Sequence, residues 1–137
     1  MDFELDLAPS EESINEIRSG LVEHNTPFLG GIDRRKVAYY VKDGERKVAG
    51  ITAEVFGEWL LINFLWVDKS IRGGGVGAEL IHKLESYAVS QGCHSCMVDT
   101  FSFQAKPFYE KLGYQCQMAL ENYPISHSRY FFTKRIV

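Results

Sequence analysis

The chain has 137 residues, 45% of them apolar and 24% charged, with a formal net charge of −3. That length buries one substantial core and suits a single domain over 1–137. The acidic balance argues against nucleic acid or an anionic membrane as a partner, and no apolar run approaches the roughly 20 residues that span a bilayer.

Taken in chain order, residues 2–8 alternate, with Phe3, Leu5 and Leu7 on one face, and predict a first strand. The acidic start Met1-Asp2-Phe3-Glu4 is unlike a secretory leader, so a cytoplasmic setting is expected. Ser10 is a fair N-cap, and Ile14, Ile17, Leu21 and Val22 share a helical face to about His24. Pro27, Gly30 and Gly31 predict a loop over 25–35. Strands are expected at Val37–Lys42, Lys47–Phe56 and Glu58–Val67, with turns at Asp43-Gly44 and Gly57. A helix follows to about Gln91, then a strand over Ser95–Phe101 and a short helix over Gln104–Leu112 that Gly113 ends. Tyr114–Leu120 and His127–Ile136 close the chain as strands. Helices alternating with strands of both kinds of connection predict an α/β class with a mixed central β-sheet flanked by helices.

Cys93, Cys96 and Cys116 are odd in number, which excludes a full disulfide framework. Cys93-His94-Ser95-Cys96 has metal or redox spacing, but no second ligand pair follows, so no metal is expected and a pair at the entry of an apolar strand accounts for it.

The run Arg72-Gly73-Gly74-Gly75-Val76-Gly77-Ala78 carries the most information. It joins an apolar strand to a helix whose start offers unpaired N–H groups and the positive end of the helix dipole. Glycine lets the backbone approach a phosphate, and the Arg72 fork can hold phosphate oxygens. A nucleoside-triphosphate loop needs Gly-Lys-Ser or Gly-Lys-Thr, whereas Ala78-Glu79 stands here. Gly73-x-Gly75-x-x-Ala78 fits a dinucleotide fingerprint only loosely, and a turn with glycines for packing alone is the bland alternative.

Arg72-x-x-Gly75-x-Gly77 resembles the acyl-CoA pyrophosphate motif of the GNAT superfamily of N-acyltransferases. Ala105-Lys106-Pro107-Phe108-Tyr109-Glu110-Lys111-Leu112-Gly113-Tyr114 is similar to that family's later signature, Ala-x-x-Phe-Tyr-x-x-x-Gly-Phe/Tyr. The pair, in this order, covers residues 60–120. The resemblance implies the GNAT fold and transfer of an acetyl group from acetyl-CoA to a primary amine, directly in a ternary complex. A small molecule is the expected acceptor; a protein lysine or N-terminal amine, or a non-catalytic acyl-CoA sensor, are the alternatives.

The resemblance further implies that Gly73, Gly74, Gly75, Val76, Gly77 and Ala78 hold the pyrophosphate with Arg72, and that Leu65, Trp66 and Val67 pair with the pantetheine arm. Phe108 would pack beside the coenzyme, and Ser102 stands where many members carry asparagine. Tyr109 takes the place of the general acid facing the coenzyme sulfur; a packed aromatic is its bland reading. A phenol with a pKa near 10 keeps its proton at neutral pH and can give it to a thiolate. No motif position fixes the general base. Glu54, on a central strand, ranks first, with Asp99 and Asp68 behind it. Tyr39, Trp59, Trp66, Tyr123 and His127 are candidate acceptor-pocket residues. A homodimer is compatible with the aromatic strand Tyr130-Phe131-Phe132.

Overall fold

The computed structural model describes all residues, 1–137. They form two compact units, Met1–Ile32 and Asp33–Val137.

In the first unit, the strand expected over residues 2–8 does not form. Alternation makes a strand only where a neighbour supplies ladder bonds. Here Asp6 instead accepts the Ala8 N–H at 3.0 Å, a local bond of the kind that competes with extended pairing. Helix α1 (Glu11–Leu29) begins as expected, with Ser10 accepting the Ser13 N–H at 3.1 Å and Glu11 and Glu12 in the first turn. It runs past His24, through Pro27, to Leu29. Pro27 falls in the last turn: it lacks the N–H that would reach the Glu23 carbonyl, so one ladder bond is lost, and only two helical residues follow it. Thr26 Oγ1 donates to the Val22 carbonyl at 2.7 Å, and the Gly30 N–H closes on Thr26 at 2.9 Å. The loop expected over 25–35 is thereby cut to a turn.

The second unit holds β1 (Arg34–Asp43), β2 (Arg46–Phe56), β3 (Trp59–Val67), a 3-10 turn (Lys69–Ile71) and α2 (Val76–Ser90). After these come β4 (Ser95–Phe101), α3 (Lys106–Lys111), β5 (Gln115–Leu120) and β6 (Arg129–Arg135). The strands make one sheet in the order β1-β2-β3-β4-β6-β5. β3 and β4 run parallel and the other pairs antiparallel, so the sheet is mixed and carries helices, as the sequence predicts.

Helix α2 packs on β2 and β3, burying Leu80, Ile81, Leu84 and Ala88 against Ile51, Leu60 and Phe132. Each such aliphatic or aromatic side chain contributes about 1.5–3 kcal/mol by leaving water. Glu85 is buried on the same helix, where it accepts from Tyr114 Oη at 2.7 Å and Lys134 Nζ at 3.1 Å. A carboxylate is tolerated in such a core because both oxygens are paired.

Two irregularities in β3 open one side of the sheet. The β2–β3 register shifts between Thr52/Phe64 and Ala53/Ile62, which leaves Asn63 as a bulge. Residues 60 and 62 face the core before it, Leu65 and Val67 after it, and Phe64 and Trp66 are turned to the exposed face. In addition, β3 and β4 pair only from Trp59/Ser95 to Leu61/Met97, beyond which they part.

Candidate active site

The parted ends of β3 and β4 enclose a cleft with two lobes that share Leu65, Trp66, Gln104 and Ala105. One lobe, of about 940 Å³, lies over the glycine turn, and the other, of about 770 Å³, reaches Tyr109.

Val67, Arg72, Gly73, Gly75, Val76, Gly77, Ala78 and Phe108 line the glycine lobe; Gly74 lies within the turn without lining it. Gly73 and Gly75 have φ of 83° and 81°, which only glycine adopts without strain, and Gly75 caps α2 with no side chain in the way. The N–H groups from Gly73 through Ala78 have no partner within the protein. They converge at the positive end of a four-turn helix. Arg72 Nε donates to the Val67 carbonyl at 2.9 Å, which fixes the guanidinium beside the turn with its Nη groups free.

The strand edge is equally open. The Asp68 N–H bonds to the Val48 carbonyl of β2 at 2.8 Å. By the two-residue alternation of a strand, Leu65 and Val67 point their backbone groups the other way, into the cleft. An extended amide-bearing chain laid there would find the ladder partners that β4 does not provide.

Tyr109 lines the second lobe and is only 5% exposed, with its hydroxyl bonded to no other protein group. Its ring meets Phe108 edge-on at 5.1 Å and Tyr114 at 5.7 Å. Burial first, and then the negative charge of Asp99, push the phenol up to about 12, so it stays protonated at neutral pH.

Comparison with known proteins decides what this cleft belongs to. Residues 5–114 match the model of the acetyltransferase (GNAT) family. The chain belongs to the GNAT family. Over 132 residues it is 30% identical to a blasticidin-S acetyltransferase of Streptomyces morookaense, covering 93% of this chain and 97% of that one. The crystal structure of an acetyltransferase from Bacillus cereus ATCC 14579 superposes with a TM-score of 0.87 at 33% identity, over 96% of this chain and 97% of that one. An aminoglycoside 6'-N-acetyltransferase crystallised with coenzyme A shares the fold at 20% identity and a TM-score of 0.66, over 93% and 82%. The chain is thus an acyltransferase of the GNAT class.

Other residues expected to serve this GNAT cleft are placed differently. Glu54 lines neither lobe: it sits on β2 and pairs across the β1–β2 ladder with Arg34, at 3.2 Å from Nη2. Asp68 caps the 3-10 turn, and the Ser70 hydroxyl first, then the Ser70 N–H at 3.1 Å, hold its carboxyl below the usual range by donating to it. Ser102 accepts the Ser128 N–H at 3.0 Å and gives its own N–H to the Ser128 carbonyl, so it pins β4 to the approach of β6 and lines neither lobe. Asp99 does line the second lobe.

Of the aromatics, Trp66 lines both lobes. Tyr123 is bonded to Arg129, and His127 meets Phe103 at 4.7 Å on the rim of the glycine lobe. Trp59 stands at the paired end of β3 against His94, and Tyr39 faces α2 from β1, so neither reaches the cleft. Cys93 and Cys96 are buried and form no disulfide, and burial raises both thiols, that of Cys96 to about 12.

Gln104 and Arg129 were not legible in the sequence. Gln104 Oε1 accepts from the Phe101 N–H at 2.8 Å and from Thr100 Oγ1 at 3.2 Å, which leaves its amide donors for the cleft. Its signal is the strand-to-helix turn it bridges; nothing local marks Arg129.

Proposed function

We propose that this chain moves the acetyl group of acetyl-CoA to a primary amine of a small molecule, directly within a ternary complex. The observation that carries this reading is the run of partnerless N–H groups from Gly73 through Ala78, opening into the same cleft as the buried phenol of Tyr109. The residues present fit the coenzyme: an anion cradle flanked by Arg72, then a strand edge open at Leu65 and at the Val67 N–H, then a proton donor.

Acetyl-CoA supplies an acyl group activated as a thioester. The glycine-turn N–H groups and Arg72 bind its pyrophosphate, while Leu65, Trp66 and Val67 hold the pantetheine arm in the manner of an added strand. An N–H on the open edge of β3 stabilises the oxyanion that forms when the amine attacks the carbonyl. As the carbon–sulfur bond breaks, Tyr109 gives its proton to the sulfur and takes back the proton that the amine has lost. With Glu54 held by Arg34, water in the open cleft relays that proton. Phe108 keeps the Tyr109 ring in place. The crystallised relative with coenzyme A and the relative named for blasticidin-S both favour a small-molecule acceptor.

The test is thiol release from acetyl-CoA across polyamines, aminoglycosides, blasticidin S, amino acids and lysine peptides, with Tyr109→Phe alongside. Release stimulated by one small-molecule class, and lost in the variant, is expected. Stimulation by lysine peptides alone would move the acceptor to proteins; acetyl-CoA binding without any release would leave a sensor.

A further inference from the structure

The second lobe is more specific than an amine acceptor requires, and its detail lies in Asp99. Among the residues lining the two lobes, Asp99 is the single acid. Arg129 approaches it diagonally across the β4–β6 ladder; its Nε donates to Oδ2 at 2.8 Å, and its Nη2 lies 2.8 Å from the same oxygen. Arginine–carboxylate forks are frequently bidentate, one N–H to each oxygen. Here Oδ1 is left without a partner.

Arg129 is itself engaged within the protein. Its Nη1 donates to Tyr123 Oη at 2.8 Å, and its plane lies against Phe131 at 4.9 Å and Tyr123 at 5.2 Å. Its charge is already matched by Asp99, whose rotamer it fixes. Facing Asp99 from β3, the bulge turns two rings into the same lobe, Phe64 at 75% exposure and Trp66 at 48%. Large apolar rings left open beside a carboxylate suit a ligand that is cationic at one end and flat at the other.

We propose that Asp99, positioned by Arg129, binds the ammonium of the acceptor, and that the acceptor carries this amine on a flat apolar body held by Phe64 and Trp66. The inference rests on the acetyl-transfer reading for the fate of the bound amine, but the recognition it describes is independent of turnover. The carboxylate collects the protonated amine and sets its distance from the thioester; the proton then leaves to water and the neutral nitrogen attacks.

Trp59 and Trp66 are the two tryptophans, and Trp59 lies outside the cleft, so the Trp59→Phe protein reports on Trp66 alone. Its fluorescence is titrated, with coenzyme A present and absent, using 2-phenylethylamine and the neutral 2-phenylethanol. The amine is expected to bind about tenfold more tightly than the alcohol. Asp99→Asn should erase that preference while leaving the alcohol's affinity in place. Arg129→Lys should retain part of the preference. Equal binding of amine and alcohol, no binding of the amine, or a preference that survives Asp99→Asn overturns the proposal. Should Asp99→Asn fail to fold, the comparison of amine with alcohol on the parent protein still decides. Failure to release thiol, with the preference intact, would count against acetyl transfer and leave the recognition standing.

Discussion

Gly77 lies under Phe108: a Cβ at Gly77 would come within 3.3 Å of Cζ of that ring. The first turn of α2 and the aromatic pair of α3 are therefore in contact through a hydrogen atom. Gly77→Ala gains about 1 kcal/mol of helix propensity, which the displaced ring offsets. Stability should change little, while acetyl-CoA affinity falls several-fold because the ring moves against the coenzyme lobe. Calorimetric titration beside a urea melt separates the two effects.

Gly75→Ala should behave differently. At φ 81° an alanine costs about 1–2 kcal/mol, and it has open space around it, so the penalty is conformational. Relaxing that strain rotates the N–H groups away from a common point. Loss of both stability and coenzyme affinity is expected, the latter by at least about tenfold. Arg72→Ala should weaken the coenzyme without destabilising the fold, and should flatten the salt dependence of binding.

Tyr109→Phe removes one oxygen from a packed ring. If the phenol protonates the leaving sulfur, the turnover number drops by about a hundredfold with the Michaelis constant for acetyl-CoA nearly unchanged. Wild-type turnover in this variant would return Tyr109 to a packing role.

The same phenol predicts a pH dependence of stability. Folded Tyr109 is raised to about 12, mainly by burial and then by Asp99, whereas an unfolded tyrosine ionises near 10. The native state thus holds its proton more tightly, and this contribution is complete below about pH 10 and is lost as pH climbs toward 12. Tyr114, raised further by burial, acts in the same direction. Urea midpoints between about pH 8 and pH 11 should fall more gently in Tyr109→Phe than in the parent chain.

Tyr114→Phe leaves Glu85 Oε2 with Lys134 but without its phenol donor. A buried acceptor stripped of a hydrogen bond costs about 1–3 kcal/mol, and this site is far enough from the cleft that turnover should be unchanged. Equilibrium unfolding and thiol release on the same preparation test both halves.

What could be read from the chain alone was whatever the chain decides locally. Glycines at positive φ, a helix start without a capping side chain and the Phe108-Tyr109 pair all write themselves into neighbouring residues. Strand limits were close for the same reason. The alternation at Phe3, Leu5 and Leu7 misled because a ladder is a property of two segments, and Pro27 misled because a proline near the end of a helix breaks little. Asp99 and Arg129 stand thirty positions apart and meet through the β4–β6 register, so neither announces the other. Glu54 looked central, and it is, but its partner is set by the β1–β2 ladder.

The bulge at Asn63 ties the working surface to the survival of the molecule. Pair Asn63 against Thr52 in a regular ladder and the pleat of β3 runs on unbroken: Leu65 and Val67 would swing outward, Phe64 and Trp66 would be driven into a space shaped for aliphatic side chains, and the open peptide edge would turn back toward β2. A one-residue slip in register would then erase the cleft and spoil the core together. A lineage carrying this chain could alter whom it acetylates by trading side chains around the rim, so long as the register of β3 holds.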